Sequence, residues 1–333
     1  MDAPRWMLVV LLIVLLPSLS TIQAKEVPWP TLVQTIPLPN VEGRIDHLAI
    51  DLHGQRLFIA ALGNNTVEVV DLQTGARVRT LTGFHEPQSV LFLPEHNTLM
   101  VTNGADGTCQ ILDGSSFAVR QTIKLSDDAD NVRYAARQQR VYIGYGNGGL
   151  AAIDPAEDKQ LGAIKLTAHP EAFVIEAAGS RIFINVPVAK QIVVADQNQQ
   201  AVIATWPLQE AAANFPMALD EVHHRLFVGT RAPARLLVLD TESGHTLASL
   251  ESVGDADEVF YDAPRQRIYV SGGEGFLQIF EQVTPDTYQS LIKLPTAAGA
   301  RTSLFVPELH RVFLAVPHQG DQHAELRVYD MES

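Results

Sequence analysis

The sequence predicts an all-β fold: a seven-bladed β-propeller of four-stranded blades, with the N-terminal strand completing the last blade. Three observations predict it. First, one pattern recurs about every 42 residues: strand, polar turn, strand, Gly/Asn turn, strand, Asp-led turn, strand. That length is what four strands per blade require. Second, seven such units start, near Gly43, His85, Asp127, Ala168, Ala211, Val253 and Ala297. Third, the seventh unit stops at "ELRVYDMES" without a fourth strand, whereas "LVQTIPL" at 32–38 matches "VRQTIKL" at 119–125, the fourth strand of unit two. A strand so placed closes the ring and removes open sheet edges.

Ahead of that strand, Arg5, the apolar run "MLVVLLIVLLPSL" and the small-residue end "TIQA" have the form of a secretory leader cut after Ala24. The run is shorter than the roughly 20 residues that span a bilayer. The expected organisation is a signal peptide over 1–24 and a single propeller domain over 25–333, in a periplasmic or secreted monomer with no membrane attachment after cleavage. Within the units, Asp71, Asp113, Asp154, Asp196, Asp240 and Asp330 close the third strands, with Phe280 expected in that place in unit six. Aspartates leading turns such as "DLQTG" and "DTESG" cap backbone N–H groups, so this set is structural. No segment reads as a long amphipathic helix and no linker divides the chain. Cys109 is the sole cysteine, which excludes an internal disulfide, a multi-thiolate metal site and C-x-x-C-H haem attachment.

"LMVTNGADGTCQILD" and "RIYVSGGEGFLQIF" resemble the repeat of the YVTN-type, YncE-like β-propellers, and the resemblance covers nearly all of the chain after the leader. It implies a bacterial, exported seven-bladed propeller. The motif is a structural repeat and carries fold rather than chemistry.

Aligning the units separates repeated polar residues from variable ones. The alignment is set on Arg56, Thr98, Arg140, Arg181, Arg225, Arg267 and Arg311, taken as the residue before strand two. Ten residues upstream, at the mouth of the innermost strand, stand Asp46, Gln88, Asp130, Glu171, Phe215, Asp257 and Arg301. One position on are His47, Ser89, Asn131, Ala172, Pro216, Glu258 and Thr302; two positions before are Arg44, Glu86, Asp128, His169, Ala213, Asp255 and Gly299. In a propeller these segments converge on one end of the central channel. The aspartates of "DDADNVRY" (127–134), poor strand formers, are then one blade's share of a polar ring. In unit five "NFPM" offers Asn214, Phe215 and Met217 as an apolar wall. Two carboxylates about 8 Å apart at an effective dielectric of about 20 repel by about 2 kcal/mol. Arginines, a cation or protons must therefore offset the ring, and Arg44, Arg133 and Arg301 are near enough in sequence to serve.

Other motifs carry no chemistry. "GYGNGG" and "SGGEG" are followed by strands rather than the helix a phosphate loop needs, and read as β-turns. His223 and His224 lie in a turn without zinc-motif spacing, and no G-x-S-x-G elbow occurs. The net charge of −14 disfavours nucleic acid as a partner.

Two functions remain. One is an exported binding propeller that takes a small molecule or a protein at the channel mouth. Its ligand-binding residues would be Arg44, Asp46, His47, Asp130, Asn131, Arg133, His169, Glu171, Asn214, Asp257 and Arg301. The other is a metal-dependent hydrolase or lyase, similar in architecture to propeller lactonases and streptogramin lyases. Asp46, Asp130, Glu171 and Asp257, with Asn131, would hold Ca²⁺ or Mg²⁺, and His47 or His169 would act as general base.

Overall fold

The computed structural model describes Met1 and residues 30–332, so the leader expected over 1–24 lies, apart from Met1, outside the described residues. Seven antiparallel four-stranded sheets form the blades of a ring. The first runs through Leu48–Asp51, Arg56–Ala61, Thr66–Asp71 and Ala76–Leu81, and the others repeat that order. The last combines Ser303–Val306, Arg311–Val316 and Glu325–Asp330 with the N-terminal strand Thr31–Pro37. That strand pairs antiparallel with Glu325–Asp330 from Thr31↔Asp330 to Pro37↔Glu325, so the ring closes as the sequence predicts.

The polar turns explain the repeat. Strand two begins at the aligned residue itself (Arg56, Thr98, Arg140 and so on), one residue earlier than the alignment assumed. The residue just before it is left-handed in six blades: Gln55, Asn97, Gln139, His224, Gln266 and His310. The arginines that open strand two also staple neighbouring blades. Arg56 Nη1 donates to the Gly114 carbonyl at 2.7 Å, and Arg181 Nη1 to the Thr241 carbonyl at 2.7 Å. The third-strand aspartates accept turn N–H groups in all six places, for example Thr74 N–H to Asp71 at 2.7 Å and Ser243 N–H to Asp240 at 2.8 Å. In unit six the residue opposite Arg267 is Glu281, not Phe280; Phe280 points into the core.

Apolar side chains on both faces of each sheet pack against the neighbouring blades. Among the described residues this gives seven hydrophobic clusters, one per blade junction. Ile36 and Leu38 fill the junction between the last and first blades. Cys109 is buried at the junction of blades two and three, and burial pushes its thiol up to about 12, so it is an inert core residue.

Candidate functional site

The segments that lead into the innermost strands share a turn. Glu86, Asp128, Ala213, Asp255 and Gly299, each two positions before the mouth residue, have positive φ. Asp tolerates this conformation better than most residues, which accounts for Asp128 in "DDADNVRY". The carbonyls of Arg44, Glu86, Asp128 and Asp255 accept N–H groups from Gly63, Gly104, Gly146 and Gly273, in the turns between strands two and three. The turns after strand two therefore reach the same end of the channel as the segments before strand one.

There all seven mouth residues, Asp46, Gln88, Asp130, Glu171, Phe215, Asp257 and Arg301, line one cavity of about 370 Å³. Arg44, His47, Glu86, Asp128, His169 and Arg231 complete its polar wall. Six carboxyl groups face three arginines and two histidines.

The two sides of the cavity solve the charge problem differently. On the side of blades one, five, six and seven, arginines neutralise the acids. Arg44 pairs with Asp46. Arg301 bridges Asp257 and Asp255, each at 3.0 Å. Arg231 reaches the same two acids at 2.5 and 3.2 Å and stacks 3.8 Å over the Phe215 ring. Burial and Asp46 still lift Asp257 to about 6, against the pull of Arg231 and Arg301. Beside this group His47 Nδ1 lies 2.6 Å from Glu258. Burial opposes the His47 charge, but Glu258 and Asp46 outweigh it and raise its pKa to about 10.

The side of blades three and four has no arginine pair. Asp130, His169 and Glu171 each offer one ligand atom, all within 4.8 Å of one another. His169 Nδ1 donates to the Gly146 carbonyl at 2.7 Å, and its Nε2 stands 3.9 Å from Asp130. Burial opposes the His169 charge, yet Asp130, the Gly146 carbonyl and Asp128 raise its pKa to about 9. Burial likewise opposes ionisation of Asp130, but His169, His47 and Arg44 hold its pKa below the usual range. Glu171 is left over: burial and Asp130 push it up to about 8, and His169 and Arg231 offset only part of this. Glu171 is therefore harder to ionise than an ordinary glutamate.

The sequence-derived candidates divide accordingly. Arg44, Asp46, His47, Asp130, His169, Glu171, Asp257 and Arg301 line the cavity. Asn131 and Arg133 are not in its wall. Asn131 is buried with Oδ1 lacking a hydrogen-bond partner. Arg133 donates to the Val132 carbonyl at 2.9 Å, and burial lowers its pKa against the pull of Glu258 and Asp130. Asn214 is a correction. A β-bulge between Asn214 and Met217 turns it away from the cavity, and its amide joins Asn185 and the Gln191 carbonyl between blades four and five. Met217 lies in the core, so Phe215 alone forms the apolar wall of that blade. The four-acid metal set does not assemble as expected, because Asp46 and Asp257 are engaged by arginines. His169 joins Asp130 and Glu171 instead. The residue missed is Arg231. It comes from the longer second strand of blade five, Arg225–Ala232, and "TRAPAR" after the strand core was its only sequence signal.

The fold and the cavity define a closed seven-bladed propeller with a polar pocket on its axis. In sequence the chain is similar to the YncE-like propellers. It is 22% identical over 249 residues to protein YncE of Salmonella typhimurium (strain LT2) and to that of Salmonella typhi, covering 70% of this chain and 70% of each relative. No protein-family model matches the chain. Among solved structures it superposes on a chain of the mitotic checkpoint complex with a TM-score of 0.77 at 13% identity, covering 97% of this chain and 98% of that one. It also matches a chain of Kuenenia stuttgartiensis hydrazine synthase with a TM-score of 0.72 at 14% identity, over 81% and 91% of the two chains. At such identities these likenesses speak to fold alone.

Proposed function

We propose that the protein is an exported binding propeller that holds a small polar molecule in the cavity at the channel mouth. One observation carries this reading: residues that differ from blade to blade at a single aligned position all face one cavity. Packing does not demand acids there, since Phe215 holds the position in blade five and Arg301 in blade seven. The paired arginines suit an anionic or carbonyl group, and the Asp130–His169–Glu171 side suits a cation. His169 beside Glu171 also favours the second reading, a metal-dependent hydrolase or lyase, with the cation polarising a carbonyl or acidifying a water.

The test is a thermal-shift screen of small carboxylic acids and lactones, followed by calorimetry on the hits and assay for their turnover. Arg301→Gln should weaken a genuine ligand at least about tenfold, or about 1.4 kcal/mol, while the variant stays folded. Ligands that bind the variant as tightly as the wild type would contradict the assignment. Turnover that chelation abolishes would select the enzymatic reading.

A further inference from the structure

We infer that Asp130, His169 and Glu171 form a site for one divalent first-row transition metal ion of the zinc class. The inference rests on reading the cavity as a binding site, and it names what one side of that site holds. It replaces the calcium or magnesium expected from an all-acid set.

Geometry comes first. The three donor atoms lie within 4.8 Å of one another. Ligands about 2.1 Å from an ion stand about 3.4 Å apart in a tetrahedron, so contraction by at most about 1.4 Å closes the site. The scaffold beneath is fixed. Glu171 N–H donates to the Asn185 carbonyl at 3.0 Å, and Thr102 Oγ1 donates to the Asp130 carbonyl at 2.7 Å. Glu171 and His169 are two residues apart on one segment, which faces Asp130 from the next blade.

The tautomer of His169 is a second, independent observation. A carbonyl oxygen only accepts, so the Nδ1 bonded to Gly146 must carry hydrogen. Nε2 then faces Asp130, and it holds a lone pair once the ring is neutral. A ring nitrogen tied to a backbone carbonyl is the usual outer support of a metal-binding histidine. The Gly turn "GYGNGG" supplies that carbonyl, with Gly146 at positive φ. A Cβ there would meet Ser126 and Asp127.

A third observation is the state of Asp130. It is 6% exposed and lines the cavity, and among the described residues its one ion-pair contact is His169 Nε2 at 3.9 Å, with no arginine paired to it. The comparable pair on the other side, Asp255 and Asp257, is bridged by two arginines. An imidazole with two carboxylates is a mixed nitrogen and oxygen set. Such sets select zinc and its neighbours, whereas calcium and magnesium prefer oxygen alone.

The experiment is calorimetric titration of the chelator-treated full chain with zinc chloride and with calcium chloride, backed by the absorption spectrum of the cobalt(II) form. One equivalent of zinc should bind, at least a hundredfold more tightly than calcium, and cobalt should give d–d bands that report nitrogen ligation. His169→Gln and Glu171→Gln should each weaken zinc at least tenfold with an unchanged circular dichroism spectrum. His223→Gln, in a surface turn, should not change it. No stoichiometric zinc, a preference for calcium, or loss on His223→Gln instead of His169→Gln would overturn the site. Should Asp130→Asn fail to fold, the His169 and Glu171 variants still decide. A chain that binds no zinc but binds a polar ligand lost in Arg301→Gln would overturn the metal site and leave the cavity reading standing.

Discussion

At the scale of single residues, the cavity holds charges with opposite consequences. His47 is buried against Glu258 and Asp46, and its pKa rises from 6.5 to about 10. A folded-state pKa above the unfolded one adds stability that is complete below about pH 6.5 and is lost as pH climbs through about 10. His47→Gln should therefore cost stability at pH 6, and the cost should vanish above pH 10. Urea melts across that range measure it, and a cost independent of pH would contradict the ion-pair origin. Arg231 is the counter-case to Glu171. It neutralises Asp255 and Asp257 and covers Phe215, so Arg231→Met leaves two crowded acids with Arg301 alone. With its side chain 21% exposed, solvent discounts the loss, and about 2 kcal/mol is expected in chemical denaturation. Unchanged stability would mean that Arg231 is not what holds those acids.

At the scale of elements, the ring depends on its first strand. Ile36 and Leu38 bury fully at the last junction, and Thr31–Pro37 covers the outer edge of the final blade. Ile36→Ala should cost about 3 kcal/mol. Removing residues 25–39 should expose a sheet edge and promote aggregation, seen by light scattering. A truncated chain that melts like the intact one would show that the ring closes without it. The elements also set what the sequence could reveal. Strand pairing fixes a period, so a residue's place in the unit gives its place in the ring. That made the mouth positions and the turn aspartates legible. Departures from the period were not legible. The bulge after Asn214 reverses the face that residue presents, the extended second strand of blade five brings in Arg231, and in blade six the register from Gly272↔Phe276 puts Glu281, not Phe280, opposite Arg267. The arginines that open strand two served only as alignment marks, yet Arg56 and Arg181 tie blade to blade.

At the scale of the whole molecule, a net charge of −14 argues against nucleic acid as a partner, and the cavity gathers acids rather than a basic stripe. Gel-shift titration with duplex and single-stranded DNA at physiological salt should show negligible binding. Submicromolar, salt-sensitive affinity would contradict that. The central claim is that the mouth carboxylates are there to bind rather than to hold the ring together. Residues kept for binding are commonly suboptimal for stability. Glu171 tests this most directly, because it has no ion-pair partner among the described residues and its pKa is raised to about 8 by burial and Asp130. Its stabilising contribution is present at low pH and lost as pH rises through about 8, so an amide in its place escapes the loss. The decisive measurement is the melting temperature of Glu171→Gln beside the wild type between pH 7 and 9. The variant should melt at or above the wild type, with a margin that widens toward pH 9. A fall of more than about 3 °C at every pH would show that Glu171 is a structural element of the ring, and the binding assignment of the cavity would fail with it.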